Sequence, residues 1–456
     1  MTHQLSTYKN LILHLSLSLS LTLLLTFLKL PILFLHSLHT YIHPDHINPS
    51  SSSSTAAIRR PGSDPISHPE LRKRPKPKSK AKNNNPTTFD ENNAQIFRLK
   101  LDEAHLQTRI FFRDYTNAFT FSSVAAACLA LQIYLGGGGG SSGDKFLAGG
   151  VFVPVLLSFA GVSKLVAALA KVSAEKSASR RSEKQLSFAF GVVGFVLGSV
   201  VCFRYGTSAL DFNFATVDSN GRLFVAILMG CFAGFLFMPA AKNARAFWLG
   251  TDQVRSDLGM ISCEWFGRLV LYVNYVMSVF TVLLWINPFC EMLVNKNNGK
   301  VRNVDGLIGN IGFSASEFGT FRVWCLLISG FLQLVALRPN LQMYLNEALL
   351  CWYQRLHAGK VPDLEFSRAK VFLHNHYLCL VVLQFLAPPV LLLLFLGLSR
   401  VEGISSDDYR YACSVLPCSA FVREVGVFLA WWILFVWAVY TSATIFLFRR
   451  CFLYMS

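Results

Sequence analysis

The sequence predicts an all-α polytopic membrane bundle of about nine transmembrane helices, and three observations predict it. Only 15% of the 456 residues are charged, against about 25% in soluble domains, while 53% are hydrophobic. The apolar residues collect in runs near the roughly 20-residue length that crosses a bilayer core. These runs are apolar on all sides, whereas membrane strands alternate over about 10 residues. Each run must satisfy its own backbone in lipid, which leaves the α-helix.

The first run, Leu11 to Leu35, has the repeated Leu-Ser pairs of a signal-like segment. It is long for that role and no small-x-small cleavage site follows before His36, so residues 1–36 are expected to be a retained anchor. The remaining runs are Tyr115 to Leu135, Phe146 to Ala170, Leu186 to Phe203, Leu223 to Ala241, Leu269 to Phe289, Gly319 to Leu337, Tyr377 to Leu398 and Val425 to Phe448. Residues 96–456 therefore form the bundle.

Residues 37–95 are dominated by Ser, Pro, Asn and Lys, a composition that cannot bury enough apolar area to order itself. Within them Arg72, Lys73, Arg74, Lys76 and Lys78 make a basic tract. With a span on either side, this tract is expected to meet anionic lipid headgroups rather than nucleic acid, each cation contributing about 1 kcal/mol. Assigning that loop to the cytoplasm and alternating onward puts more than twice as many Lys and Arg on the cytoplasmic side as on the other. The C-terminus is then cytoplasmic.

Phe97, Leu101, Ala104 and Phe111 recur at helical spacing and predict an amphipathic helix leading into the second span. His36, His39, His43 and His46 also recur at helical spacing, but Pro44 disfavours helix at His43 and no Cys joins them. The glycines from Gly136 to Gly140 read as a spacer, since no strand precedes them and no Lys-bearing helix start follows. Gly194 and Gly198, then Gly230 and Gly234, have the small-xxx-small spacing that lets two helices approach closely. Cys413 and Cys418 share a loop on the non-cytoplasmic side and are expected to be bridged.

The stretch Arg338 to Leu349, RPNLQMYLNEAL, is too polar to span. Pro339 suits a helix's first turn, and Leu341, Tyr344, Leu345, Leu349 and Trp352 then line one face. This predicts an amphipathic helix starting at Pro339 and lying at the cytoplasmic surface. RPNLQMYL (Arg338 to Leu345) and LQFLAPP (Leu383 to Pro389) resemble the transmembrane protein 161 family. The Tyr-x-His-Pro element at Tyr41 to Pro44, followed by the basic tract, is similar to that family's amino-terminal region. The Ser- and Asn-rich insert and the Gly tract depart from it. The resemblance implies a multi-pass membrane protein linked to ion currents, excitability and stress responses, and it brings no catalytic residues.

Polar residues inside spans are costly and ask for a reason. Lys164, Asn274, Gln333 and Gln384 fall at similar depth from the cytoplasmic ends of their runs. Pro388 and Pro389 should each free a carbonyl one turn earlier, at Gln384 and Phe385. These residues either line a shared cytoplasm-facing cavity or serve separately as a snorkelling Lys, interhelical amides and a kink. No G-x-S-x-G, H-E-x-x-H or Walker pattern occurs. A non-enzymatic regulator of ion flux or signalling, without cofactor or metal, is the expected function. The alternatives are a transporter or channel with its own pore, and a scaffold recruiting cytoplasmic partners.

The map is checked with epitope tags inserted beside Lys76 and beside Asp305. They should be reached from opposite sides of the bilayer; labelling from one side would overturn it.

Overall fold

A computed structural model of the chain describes residues 9–42, 56–58, 96–136, 151–175, 181–205, 210–212, 218–252, 263–293, 315–357, 364–401 and 419–453. Among them, nine helices are long and apolar enough to cross a membrane, as the hydropathy pattern predicts. They are α1 (Lys9–Phe27), α4 (Phe112–Gly136), α5 (Phe152–Ala174), α6 (Arg181–Val200), α7 (Ser219–Thr251), α8 (Trp265–Leu283), α10 (Ala315–His357), α12 (Leu378–Leu398) and α13 (Ser419–Arg449). Four shorter helices join them: α2 (Leu30–Leu35), α3 (Glu103–Gln107), α9 (Asn287–Leu293) and α11 (Leu364–His376). Strands β1 (His39–Ile42), β2 (Ala56–Ile58) and β3 (Ile96–Lys100) form one antiparallel sheet in the order β1-β3-β2.

Helix α12 is the axis of the bundle. Nearly all of its side chains are buried, Gln384, Pro388 and Pro389 included, and it packs against α4, α5, α10 and α13. The outer helices show lipid-facing apolar stripes. On α10, Trp324, Ile328, Phe331 and Val335 are exposed at i, i+4, i+7 and i+11. Such stripes are what a helix wall bathed in hydrocarbon presents.

Helices α6 and α7 make the closest pairing, and their glycines explain it. A Cβ on Gly194 would lie against the Ala233 methyl, and one on Gly230 would come 2.9 Å from the Gly191 carbonyl. The small-xxx-small reading holds within one chain. Helix α1 is pinned to α4: His14 is fully buried and its Nε2–H donates to Gln132 Oε1 at 2.9 Å.

Two local expectations are corrected. Residues 97–111 do not form one amphipathic helix: Ile96–Lys100 pairs with His39–Ile42, and helix appears only at Glu103–Gln107. Nonlocal ladder bonds to β1 outweigh the helical spacing of Phe97 and Leu101. The same pairing orders part of the segment read as compositionally disordered. The stretch at Pro339 is not a separate helix either, because α10 runs unbroken from Ala315 to His357 with Pro339 inside it. At 1.5 Å per residue α10 is about 65 Å long, twice the hydrocarbon thickness of about 30 Å. One proline removes one backbone bond, and packing on both sides holds the helix through it.

Adding bulk at the α6–α7 seam tests that packing. Gly194→Val should lower the thermal midpoint of detergent-solubilised protein, a loss of about 1–3 kcal/mol typical of overpacking. Gly319→Ala, where nothing lies within 4 Å of the added carbon, should leave it unchanged.

Candidate functional site

Helices α7 and α10 both outrun the lipid, and their extensions meet α11, the sheet and the start of α12 at one end of the bundle. The polar face of α10 there is covered by β1. Gln342 Nε2 donates to the His39 carbonyl at 3.1 Å, and the His39 amide donates back to Gln342 Oε1 at 2.9 Å. Tyr41 Oη donates to Asn346 Oδ1 at 3.0 Å, and Arg338 Nη2 donates to the His36 carbonyl at 3.1 Å. On α11, Asn375 Nδ2 donates to the Tyr41 carbonyl at 2.6 Å, while Thr40 Oγ1 donates to Asn375 Oδ1. Burial pushes the Tyr41 phenol up to about 12, so it stays a donor. Leu341, Tyr344, Leu345, Leu349 and Trp352 are all buried against protein.

Beside this seam lies a charged crevice drawn from five helices. Lys242 of α7 donates to Gln384 Oε1 of α12 at 2.9 Å. Lys370 of α11 stands 3.8 Å from Glu347 of α10, and Arg245 of α7 stands 3.5 Å from Glu183 of α6. Lys242, Arg245, Lys370 and His374 all act on the Glu347 carboxylate. The His374 ring stacks on Tyr344 with centroids 4.6 Å apart, and its Nδ1–H donates to the Lys370 carbonyl at 2.9 Å. Burial, with Lys370 and Lys242 nearby, pulls the His374 pKa below its usual value against the opposing pull of Glu347. Lys242, Glu347, Lys370 and His374 are partly buried, while Gln384 and Tyr344 are buried.

A second polar group sits deeper, where α7, α8, α10 and α13 meet. Asn243, Asn274, Tyr275, Ser278, Asn340 and Thr441 line a cavity of about 10 Å³, closed otherwise by Phe247, Leu271, Trp437 and Ala438.

The expected shared cavity is thus divided. Gln384 joins the crevice through Lys242, and Asn274 joins the amide-lined cavity. Lys164 joins neither, being exposed on α5 with its ammonium 5.8 Å from the Phe121 ring centre. Gln333 is buried on α10 with both amide atoms unpaired among the described residues. Pro388 and Pro389 lie within α12, one turn beyond Gln384. Cys413, Cys418 and the tract from Arg72 to Lys78 lie outside the described residues, as do His43 and His46. Hydropathy hid Lys242, Glu347, Lys370 and His374 because it assigned them to connectors. Their signal was spacing: Lys370 and His374 are one turn apart on one helix face, as are Tyr344 and Glu347.

At the opposite end the bundle is closed by rings. Arg322 forms an ion pair with Asp211 at 2.7 Å and lies over Trp285 and Phe318, at 4.3 and 4.9 Å from their centres. Phe212 stacks on Trp285 at 4.5 Å.

An all-α bundle of nine apolar helices, lipid-facing on its outer walls, is a multi-pass integral membrane protein. A family model described as Predicted transmembrane protein 161AB matches residues 199–409, a span holding Lys242, Asn274, Asn340, Glu347, His374 and Gln384. Over that span the chain is similar to the family, and the matched residues include Arg338 to Leu345 and Leu383 to Pro389, which carry the resemblance in the sequence. No solved structure matches it.

The depressed His374 pKa sets a pH dependence. The folded state binds this proton less readily than the unfolded chain, so stability should fall as pH drops below about 6.5 and level off beneath the folded pKa. Thermal unfolding between pH 7.5 and 5 should show this, and His374→Gln should flatten the slope.

Proposed function

We propose that this protein is a non-enzymatic regulator of membrane ion flux, set by the charged crevice of Lys242, Glu347, Lys370, His374 and Gln384. In this reading the crevice faces the cytoplasm, together with the C-terminus. The tract Arg72, Lys73, Arg74, Lys76 and Lys78 holds the first loop against anionic headgroups there. The implied link of the family to ion currents supplies the class. The observation that carries the reading is the Glu347 carboxylate, held among four cationic or titratable side chains from α7 and α11. A change in protonation or in a neighbouring protein alters the balance of charge between helices that are otherwise tightly packed, and so biases their arrangement.

The packing of the axis favours regulation over a pore within the chain. Helix α12 carries almost no exposed surface, and its one amide side chain is occupied by Lys242.

Two recordings test the proposal. Expression in a cell with well-characterised currents should change a current, and Glu347→Gln, delivered to the membrane at normal levels, should alter that change severalfold. Purified protein in liposomes should give no ion flux of its own. Flux from the purified chain would favour the pore reading, while identical currents with wild-type and Glu347→Gln protein would overturn the role of the crevice.

A further inference from the structure

Three of the residues around the amide-lined cavity carry oxygens that are buried and, among the described residues, meet no hydrogen-bond partner: Asn274 Oδ1, Asn340 Oδ1 and Thr441 Oγ1. The residues themselves are 6%, 5% and 3% exposed. They come from α8, α10 and α13, so three helices each bring an oxygen without a described partner to the lining of one cavity. Leaving three such groups unpaired carries a desolvation penalty that native structures rarely tolerate. Something of complementary chemistry belongs between them.

We propose that this cavity is a binding site for one small monovalent cation, sodium being the best fit in size. Six of its ten lining residues, Asn243, Asn274, Tyr275, Ser278, Asn340 and Thr441, bear a side-chain oxygen. A bound water makes two to four hydrogen bonds, whereas a dehydrated alkali ion is enclosed by more oxygens. The volume of about 10 Å³ admits one water-sized body and excludes a hydrated ion. Among the described residues no Lys, Arg or His lines the cavity to repel a cation. No Asp or Glu lines it either, which points away from calcium and magnesium, whose sites use carboxylates. Neutral oxygen dipoles suffice for alkali ions, as carbonyl-lined filters show. Because the site joins α8, α10 and α13, an occupant crosslinks them. This inference stands apart from the proposed regulation of ion flux.

The test is thermal unfolding of the purified full-length protein in sodium, potassium or choline chloride at one ionic strength. A ligand that binds only the folded state raises the midpoint in a saturable way. The midpoint should rise with sodium over choline, and Thr441→Ser, which keeps the oxygen, should retain the rise. Thr441→Val, of the same shape without it, should weaken the apparent affinity about tenfold or more, the effect of one lost ligand. Equal midpoints in all three salts would leave a buried water as the only occupant and overturn the proposal. So would a sodium response that Thr441→Val and Asn340→Leu both preserve, since the ion would then bind elsewhere.

Discussion

A polar group taken out of water must find a partner, and that constraint shapes helix α10 and everything packed around it. Its first half meets hydrocarbon and is lined outward by Trp324, Ile328, Phe331 and Val335. Its second half carries Gln342, Asn346 and Glu347 on turns that are buried against protein. A completed hydrogen bond contributes only about 0.5–1.5 kcal/mol, but an abandoned buried group costs about 1–3 kcal/mol. The decisive term is therefore the penalty for leaving these side chains alone. Strand β1 removes it, by lending its backbone to Gln342 and its Tyr41 hydroxyl to Asn346. The small sheet exists in a helical protein because α10 has a polar face to cover.

That covering brings together stretches far apart in the chain. Tyr41 lies in the Tyr-x-His-Pro element, Arg338 and Gln342 in RPNLQMYL, and Gln384 in LQFLAPP. Arg338 and Gln342 meet His36 and His39, Tyr41 meets Asn346 four residues further along α10, and Gln384 accepts from Lys242. The motifs that carry the family resemblance are thus one end of one structure. Lys242 and Asn243 are adjacent on α7, yet one faces the crevice and the other the amide-lined cavity. Any rotation of α7 that disturbs the Lys242–Gln384 contact also moves Asn243, so the two polar groups share rigid elements.

The spans were legible because lipid imposes a demand that needs no knowledge of tertiary structure: about 20 apolar residues on all faces. Helix ends were not, because α7 and α10 run on past the lipid, where protein contacts replace hydrocarbon and hydropathy falls. The segment 96–100 was misread because strand pairing is nonlocal, and Ile96 to Lys100 became β only through His39 to Ile42. Lys164, Asn274 and Gln384 were grouped by depth along their helices, but depth says nothing of azimuth. Each residue turns the helix by about 100°, and the rotation that sends Asn274 inward and Lys164 toward lipid is set by neighbours. Charged residues were read as connector residues for the same reason: composition records that Glu347 is ionic, not that four basic or titratable partners surround it.

The two ends of the bundle hold their cations by different physics, and this decides where a signal can act. Arg322 is a planar guanidinium layered on Trp285 and Phe318 and paired with Asp211. Its surroundings are a stack of rings, Phe212 lying on Trp285 and edge-on to Phe428. The other end has His374, whose pKa burial pulls below its usual value, set against Glu347 and two lysines. Its ion pairs are long, 3.8 Å for Lys370–Glu347 and 3.5 Å for Arg245–Glu183, so each is weaker than a direct hydrogen-bonded pair and easier to exchange. One proton added there changes the charge of a crevice shared by α6, α7, α10, α11 and α12. That crevice is where a change in one proton reaches five helices at once, so a pH signal can act there on their arrangement.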